Sequence, residues 1–127
     1  MSFDWNNYVK LGNSLSKQNG EEYKRTAISR IYYGVLNLSR EVIKPVSTEK
    51  FNRKHIWTQE QFSKYGKPES NQIAAILRRL KKKREKADYE NFAADLDKEL
   101  LFTQIEAKRL QQLIEKFKNN YLDKLNV

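Results

Sequence analysis

Apolar positions recur three and four residues apart along most of the chain, and no segment alternates apolar with polar residues, so the sequence predicts helices throughout and no strands. The first helix starts near Asp4, a residue type favoured at N-caps. It turns Trp5, Tyr8, Val9 and Leu15 inward and ends at Asn19-Gly20, where glycine can take the left-handed C-cap conformation. The second runs from about Glu21 to Lys44 and is stopped by Pro45, which has no N–H and disfavours helical geometry in the preceding residue. A third, from Phe51 to Tyr65 after the capping candidate Thr48, carries Phe51, His55, Ile56 and Phe62 and is closed by Gly66-Lys67-Pro68. The fourth begins at Ser70, and the pattern breaks over Glu90 to Ala94.

The last helix spans about Asp95 to Lys124, which makes it roughly 45 Å long. Leu96, Leu100, Thr103, Ala107, Leu110, Ile114, Phe117 and Tyr121 recur along it at alternating steps of four and three, a seam like that of a coiled coil. Phe102, Ile105 and Leu113 lie on a second side, so this helix is buried either by two neighbours or by a second chain. No linker divides the sequence, and residues 1–127 read as one all-α domain, an antiparallel bundle of four to five helices with a long C-terminal helix.

Two helices carry residues that packing alone does not require. In RTAISRIYYGVLNL, from Arg25 to Leu38, one stripe of Ala27, Ile31, Val35, Leu38 and Val42 faces the core, while Arg30, Tyr33 and Asn37 share an adjacent stripe with Thr26 and Glu41. That second stripe is either an aromatic flank under a neighbouring helix or a contact surface for a dimer partner or a phosphate-bearing ligand. In the fourth helix the inward stripe runs Ile73, Ile76, Leu77, Leu80 and Ala87, and the step between Leu80 and Ala87 lands on Arg84. The guanidinium there either snorkels outward or pairs with Asp88 four residues on, or it sits in a cleft where its fork can hold a phosphate.

Charge adds a bias toward polyanions. The 127 residues hold 25 Lys and Arg against 16 Asp and Glu, a net charge of +9. Arg78, Arg79, Lys81, Lys82, Lys83, Arg84 and Lys86 are concentrated in the fourth helix, with the first two and Lys81 to Lys83 as candidate RNA contacts. There is no cysteine, which excludes disulfides and thiolate chemistry, and one histidine is too few for a histidine-based zinc cluster. No metal or other cofactor is expected. No apolar run reaches the roughly 18 residues that span a bilayer, and the N-terminus has no basic-then-apolar signal, so no membrane association and a cytoplasmic location are expected.

Several of these residues together carry a family resemblance. RTAISRIYYGVLNLSREVI, a lone histidine followed by a phenylalanine (His55 to Phe62), RRLKKKREKADY and a final IEAKRLQQLIEKF, in that order, resemble the HEPN family over about residues 21–120. The most specific pieces are S-R-x-Y-Y at Ser29 to Tyr33 and R-x-x-A-D-Y at Arg84 to Tyr89. The resemblance implies a helical bundle, a homodimer, and a role in prokaryotic toxin-antitoxin or defence systems, in some cases beside a nucleotidyltransferase partner.

The family's ribonucleases place a histidine four to six residues after an arginine. Here Tyr89 occupies that position after Arg84, and the residue five before His55 is Lys50. The expectation is therefore a binding or regulatory module for RNA or a nucleotide, with Arg30, Tyr33, Arg84 and Tyr89 as phosphate contacts. Two alternatives stand beside it: a metal-independent RNA endonuclease using Arg84, Asp88 and Tyr89, and a structural interaction subunit.

Overall fold

The computed structural model describes residues 3–90 and 95–123. Among these residues there is no strand, and the elements are α1 (Asn6–Leu15), α2 (Glu21–Ile43), a 3₁₀ turn (Lys44–Val46), α3 (His55–Tyr65), α4 (Pro68–Tyr89), α5 (Leu96–Phe117) and a π-type turn (Lys118–Leu122). The all-α bundle expected from the apolar spacing is the architecture that forms. Residues 91–94, where that spacing breaks, and Lys124, where it puts the end of the last helix, lie outside the described residues. No described helix is long and apolar enough to cross a membrane.

Local chemistry moves several boundaries. Asp4 accepts from the N–H of Asn6, the first residue of α1, at 3.0 Å, and the helix ends at Leu15, well before Gly20. Gly20 instead has φ 129° and precedes α2, so its conformational freedom serves the start of the second helix. Phe51 is outside α3, which begins at His55; its ring meets Trp57 edge-on at 5.2 Å. The inward face of α3 is Trp57, Thr58, Gln61 and Phe62, and Ile56 is exposed, one residue out of the register expected. Gly66 closes α3 in the left-handed conformation, as its sequence position implies. Ser70 does not start α4; it sits in the first turn, where its hydroxyl bonds the Lys67 backbone.

α2 is the central element and packs against α1, α3, α4 and α5. For that reason it buries more than one stripe: Ile28, Tyr32, Leu36 and Ile43 are in the core along with Ala27, Ile31 and Val35, while Leu38 and Val42 are half-buried. On α5 the seam residues Leu100, Thr103, Ala107, Leu110, Ile114 and Phe117 are all buried. α5 itself is about 33 Å long, and it runs without a break into the π-type turn at Lys118–Leu122, so the helical run continues to near the end expected for a long final helix. Of its second side, Phe102 and Leu113 are half-buried and Ile105 is exposed.

α1 lies antiparallel to α2 at very short range, because two glycines remove the side chains between them. A Cβ built on Gly12 would lie 2.5 Å from Ile31 Cγ1 and 2.9 Å from the Ala27 carbonyl oxygen; one on Gly34 would lie 2.7 Å from Val9 Cγ2. Helix propensity alone would make Gly12→Ala stabilising by about 1 kcal/mol. Overpacking against a backbone oxygen and a β-branched side chain outweighs that, so Gly12→Ala and Gly34→Ala are each expected to lose about 1 to 3 kcal/mol in urea unfolding. A gain in stability for either would show that α1 and α2 are not this close.

Candidate functional site

α4 delivers Arg84 to the interior between two buried neighbours on its stripe, Leu80 and Ala87. The residue is only 7% exposed. Three aromatic rings surround its guanidinium, whose carbon lies 5.6 Å from the Tyr32 centroid, 5.5 Å from that of Tyr33 and 5.8 Å from that of Tyr89. The quadrupole of each ring turns a negative face to the cation. Among the described residues the one carboxylate in contact is Asp88, a single oxygen at 3.5 Å from Nη1, long for an arginine–carboxylate pair. Nε is buried and has no hydrogen-bond partner among the described residues. Burial works against the charge, but Tyr33, Tyr89, Asp88 and Tyr32 outweigh it and hold the guanidinium above its ordinary pKa.

The fold adds a residue that no linear motif pairs with this arginine. His55, first residue of α3, places Nδ1 3.0 Å from the Tyr32 hydroxyl and its ring 5.5 Å from Tyr33, edge to face at 87°. Burial pushes the Tyr32 hydroxyl above its usual pKa, only partly opposed by Arg84. For His55, burial and then the positive charges of Arg84, Arg40 and Lys81 lower the pKa, with Glu85 opposing, so the imidazole is neutral at neutral pH. Arg40 is held by neutral groups: Nε donates to Thr58, Nη1 to Asn37 and Nη2 to the Arg53 carbonyl. The cluster thus contains an always-charged cation, a neutral phenol and a neutral imidazole in contact.

Tyr89 ends α4 and is 75% exposed. Beside it, Lys82, Arg84, Glu85, Lys86 and Glu90 line an open cleft of about 530 Å³. Arg84 therefore has one side against the tyrosines of α2 and another toward a surface cleft whose rim carries two lysines and two glutamates. Among the described residues no three His, Asp or Glu side chains converge as metal ligands would.

Other residues singled out by the sequence go elsewhere. Arg30 turns toward α1, its guanidinium carbon 5.3 Å from the Tyr8 centroid, and does not join Arg84. Asn37 donates to the Tyr33 carbonyl at 2.8 Å. The basic run of α4 winds around the helix and does not form one face. Arg79 binds the buried Glu106 of α5 at 2.9 Å, and Lys83 pairs with Glu99 at 2.6 Å while lying over Phe102. Lys81 is 3.7 Å from Glu85. Of the five candidate RNA contacts Arg78 and Lys82 are exposed, and the other three are partly covered. Tyr32 and His55 were not among the sequence candidates, although the adjacent tyrosine of the S-R-x-Y-Y turn and the single histidine were the available signals. Comparison with protein-family models, curated proteins and solved structures gives no match.

The neutral histidine has a measurable consequence. Its folded-state pKa lies below the ordinary value of about 6.5, so in the window between the two the unfolded chain binds the proton and the folded chain does not. The contribution is complete above that ordinary value and is lost as the pH falls through the folded one. Urea midpoints should therefore drop between about pH 7.5 and 5.5, and His55→Gln should flatten that drop. An unchanged slope in the variant would place His55 in water.

Proposed function

We propose that this chain is a HEPN-like binding module that takes a phosphate-bearing ligand, RNA or a nucleotide, at Arg84. The prokaryotic toxin-antitoxin or defence setting is the one its sequence resemblance implies. The observation that carries the reading is the unsatisfied state of Arg84: a buried guanidinium with one long, single-oxygen carboxylate contact and a buried Nε without a partner among the described residues. A structural ion pair at this depth would be short and forked, because a poorly compensated buried charge costs several kcal/mol. A phosphate supplies the oxygens that the fork lacks. Tyr33 and Tyr89 position the guanidinium through their rings, and the exposed face of Tyr89 is a surface on which a base can stack. Arg78 and Lys82 add exposed charge along the same helix; Arg30, Arg79 and Lys83 are committed within the bundle and are not part of the grip.

The test is Arg84→Lys, which keeps the charge and removes the fork. Binding of a fluorescent single-stranded RNA at low salt should weaken about tenfold with little loss of melting temperature, since a bidentate contact contributes roughly 1 to 3 kcal/mol. Unchanged RNA binding with a large loss of stability would make Arg84 structural.

A second reading, a metal-independent RNA endonuclease, is favoured by one specific observation: His55 lies against the same tyrosines as Arg84 and is neutral, the form in which imidazole accepts a proton. Arg84 would then stabilise charge on the phosphate while His55 takes the proton of the ribose 2′-hydroxyl. The 2′-oxygen bonds phosphorus to give a 2′,3′-cyclic phosphate, the P–O5′ bond breaks, and the leaving 5′-oxygen takes a proton from water. Purified protein incubated with mixed RNA and a chelator should yield cleavage that is lost in His55→Gln and in Arg84→Ala. Intact RNA at high protein concentration would remove this reading and leave the binding module.

A further inference from the structure

We propose that His55 takes up a proton when a tetrahedral oxyanion binds at Arg84, so that this site holds such anions more tightly as the pH falls below neutrality. The inference rests on the reading of Arg84 as an anion grip and specifies how that grip is regulated.

The geometry is a short relay across one aromatic layer. The Tyr33 ring lies 5.5 Å from the Arg84 guanidinium carbon and 5.5 Å from the His55 ring, and Tyr32 likewise meets both at 5.6 Å. An anion on the guanidinium fork is therefore one ring removed from the imidazole. His55 also opens α3 at an end with no side-chain cap and no acidic residue in the first turn, so the positive end of that helix is uncompensated from within. Its Nδ1 is engaged by the Tyr32 hydroxyl, which leaves the Nε2 edge to face a ligand; once protonated, both nitrogens carry N–H groups and Nδ1 donates to the Tyr32 oxygen.

The charges facing the ring explain why it waits for an anion. From α2 come Tyr32, Tyr33 and Arg40; from α4 come Lys81, Arg84 and Glu85. Three cations outweigh one carboxylate, and a proton on His55 would be a fourth positive charge in a half-buried space. An oxyanion at Arg84 offsets that excess of positive charge and so raises the proton affinity of the imidazole. By linkage the effect is reciprocal: whatever raises the proton affinity of His55 on binding also strengthens binding when His55 is protonated. A dianion does this more strongly than the single charge of a phosphodiester, at the same distance.

The chain has one histidine, so its imidazole signal in proton NMR needs no assignment. That signal should be titrated between about pH 5 and 8 in chloride, in sulfate at matched ionic strength, and with oligouridylate; neither of these two anions titrates in that range. Sulfate should raise the His55 midpoint by about one pH unit and should bind more tightly as the pH falls. Arg84→Gln should abolish the response, and its free imidazole should titrate higher than that of the wild type because a nearby cation is gone. The wild-type titration carries the test even if the variant does not fold. A shift with oligouridylate and not with sulfate would support the proton link and identify a nucleic-acid chain as the source of the oxyanion. Anion binding that depends on Arg84 but leaves the His55 midpoint unmoved would overturn the link while the grip stands. If neither sulfate nor RNA binds, the grip and the link both fall.

Discussion

A guanidinium that cannot lose its charge, buried between α2 and α4, constrains more of this structure than any other single group. Arginine stays protonated under all ordinary conditions, so the fold must solvate the charge of Arg84 with its own groups. It does so with three tyrosines and one carboxylate. Tyr32 and Tyr33 come from one turn of α2 and Tyr89 from the last residue of α4, while Asp88 contributes a distant oxygen. Aromatic rings are large and can fill core volume, so they hold a cation without adding a second buried ion whose own desolvation would have to be offset. The consequence is a cation that is tolerated and incompletely hydrogen-bonded.

That constraint sorts the remaining basic residues of α4. Arg79 and Lys83 face α5 and use Glu106 and Glu99 as partners, and Lys83 also lies over Phe102. These pairs fasten the two antiparallel helices, with Glu106 itself buried. Lys81 faces the opposite way, where its charge reaches His55. A run of seven basic residues in nine positions is thus three populations on one cylinder, because successive residues are turned by about 100°. Net charge describes none of this, since it counts a lysine tied to Glu99 and an exposed lysine alike.

How much of this was legible in the sequence depended on whether a residue acts through its own helix or through a neighbour. The number of helices, the interruption of the α4 stripe at Arg84 and the seam of α5 follow from spacing within one element, whereas the buried face of α3 lies one residue out of the register that spacing gives. Boundaries shifted where a loop residue does work that periodicity does not register, as with Gly20 at the start of α2 and Phe51 packing on Trp57 from outside α3. Burial on α2 was underestimated because a stripe argument assumes one buried face, and a helix packed on several sides has more. The union of Tyr32, His55 and Arg84 was not legible, since three residues from three helices meet only after those helices pack. Arg30 was misplaced for the same reason: its partner Tyr8 belongs to α1.

The contact between Tyr32 and His55 joins the binding and the catalytic readings of the site. A neutral imidazole carries one N–H, and the proton between Nδ1 and the Tyr32 oxygen can belong to either group. If Tyr32 donates, the N–H is on Nε2 and His55 presents a donor, as a phosphate contact would. If Nδ1 donates, Nε2 presents a lone pair, as a general base for a ribose hydroxyl requires. If Nδ1 donates, the Tyr32 O–H must find another acceptor, and none lies within hydrogen-bond reach of it among the described residues, so the protein side of this contact leans toward the form in which Tyr32 donates. Selecting the lone-pair form requires a substrate donor at Nε2 to offset the change, which makes the ligand, and not the fold alone, the group that decides which chemistry His55 performs.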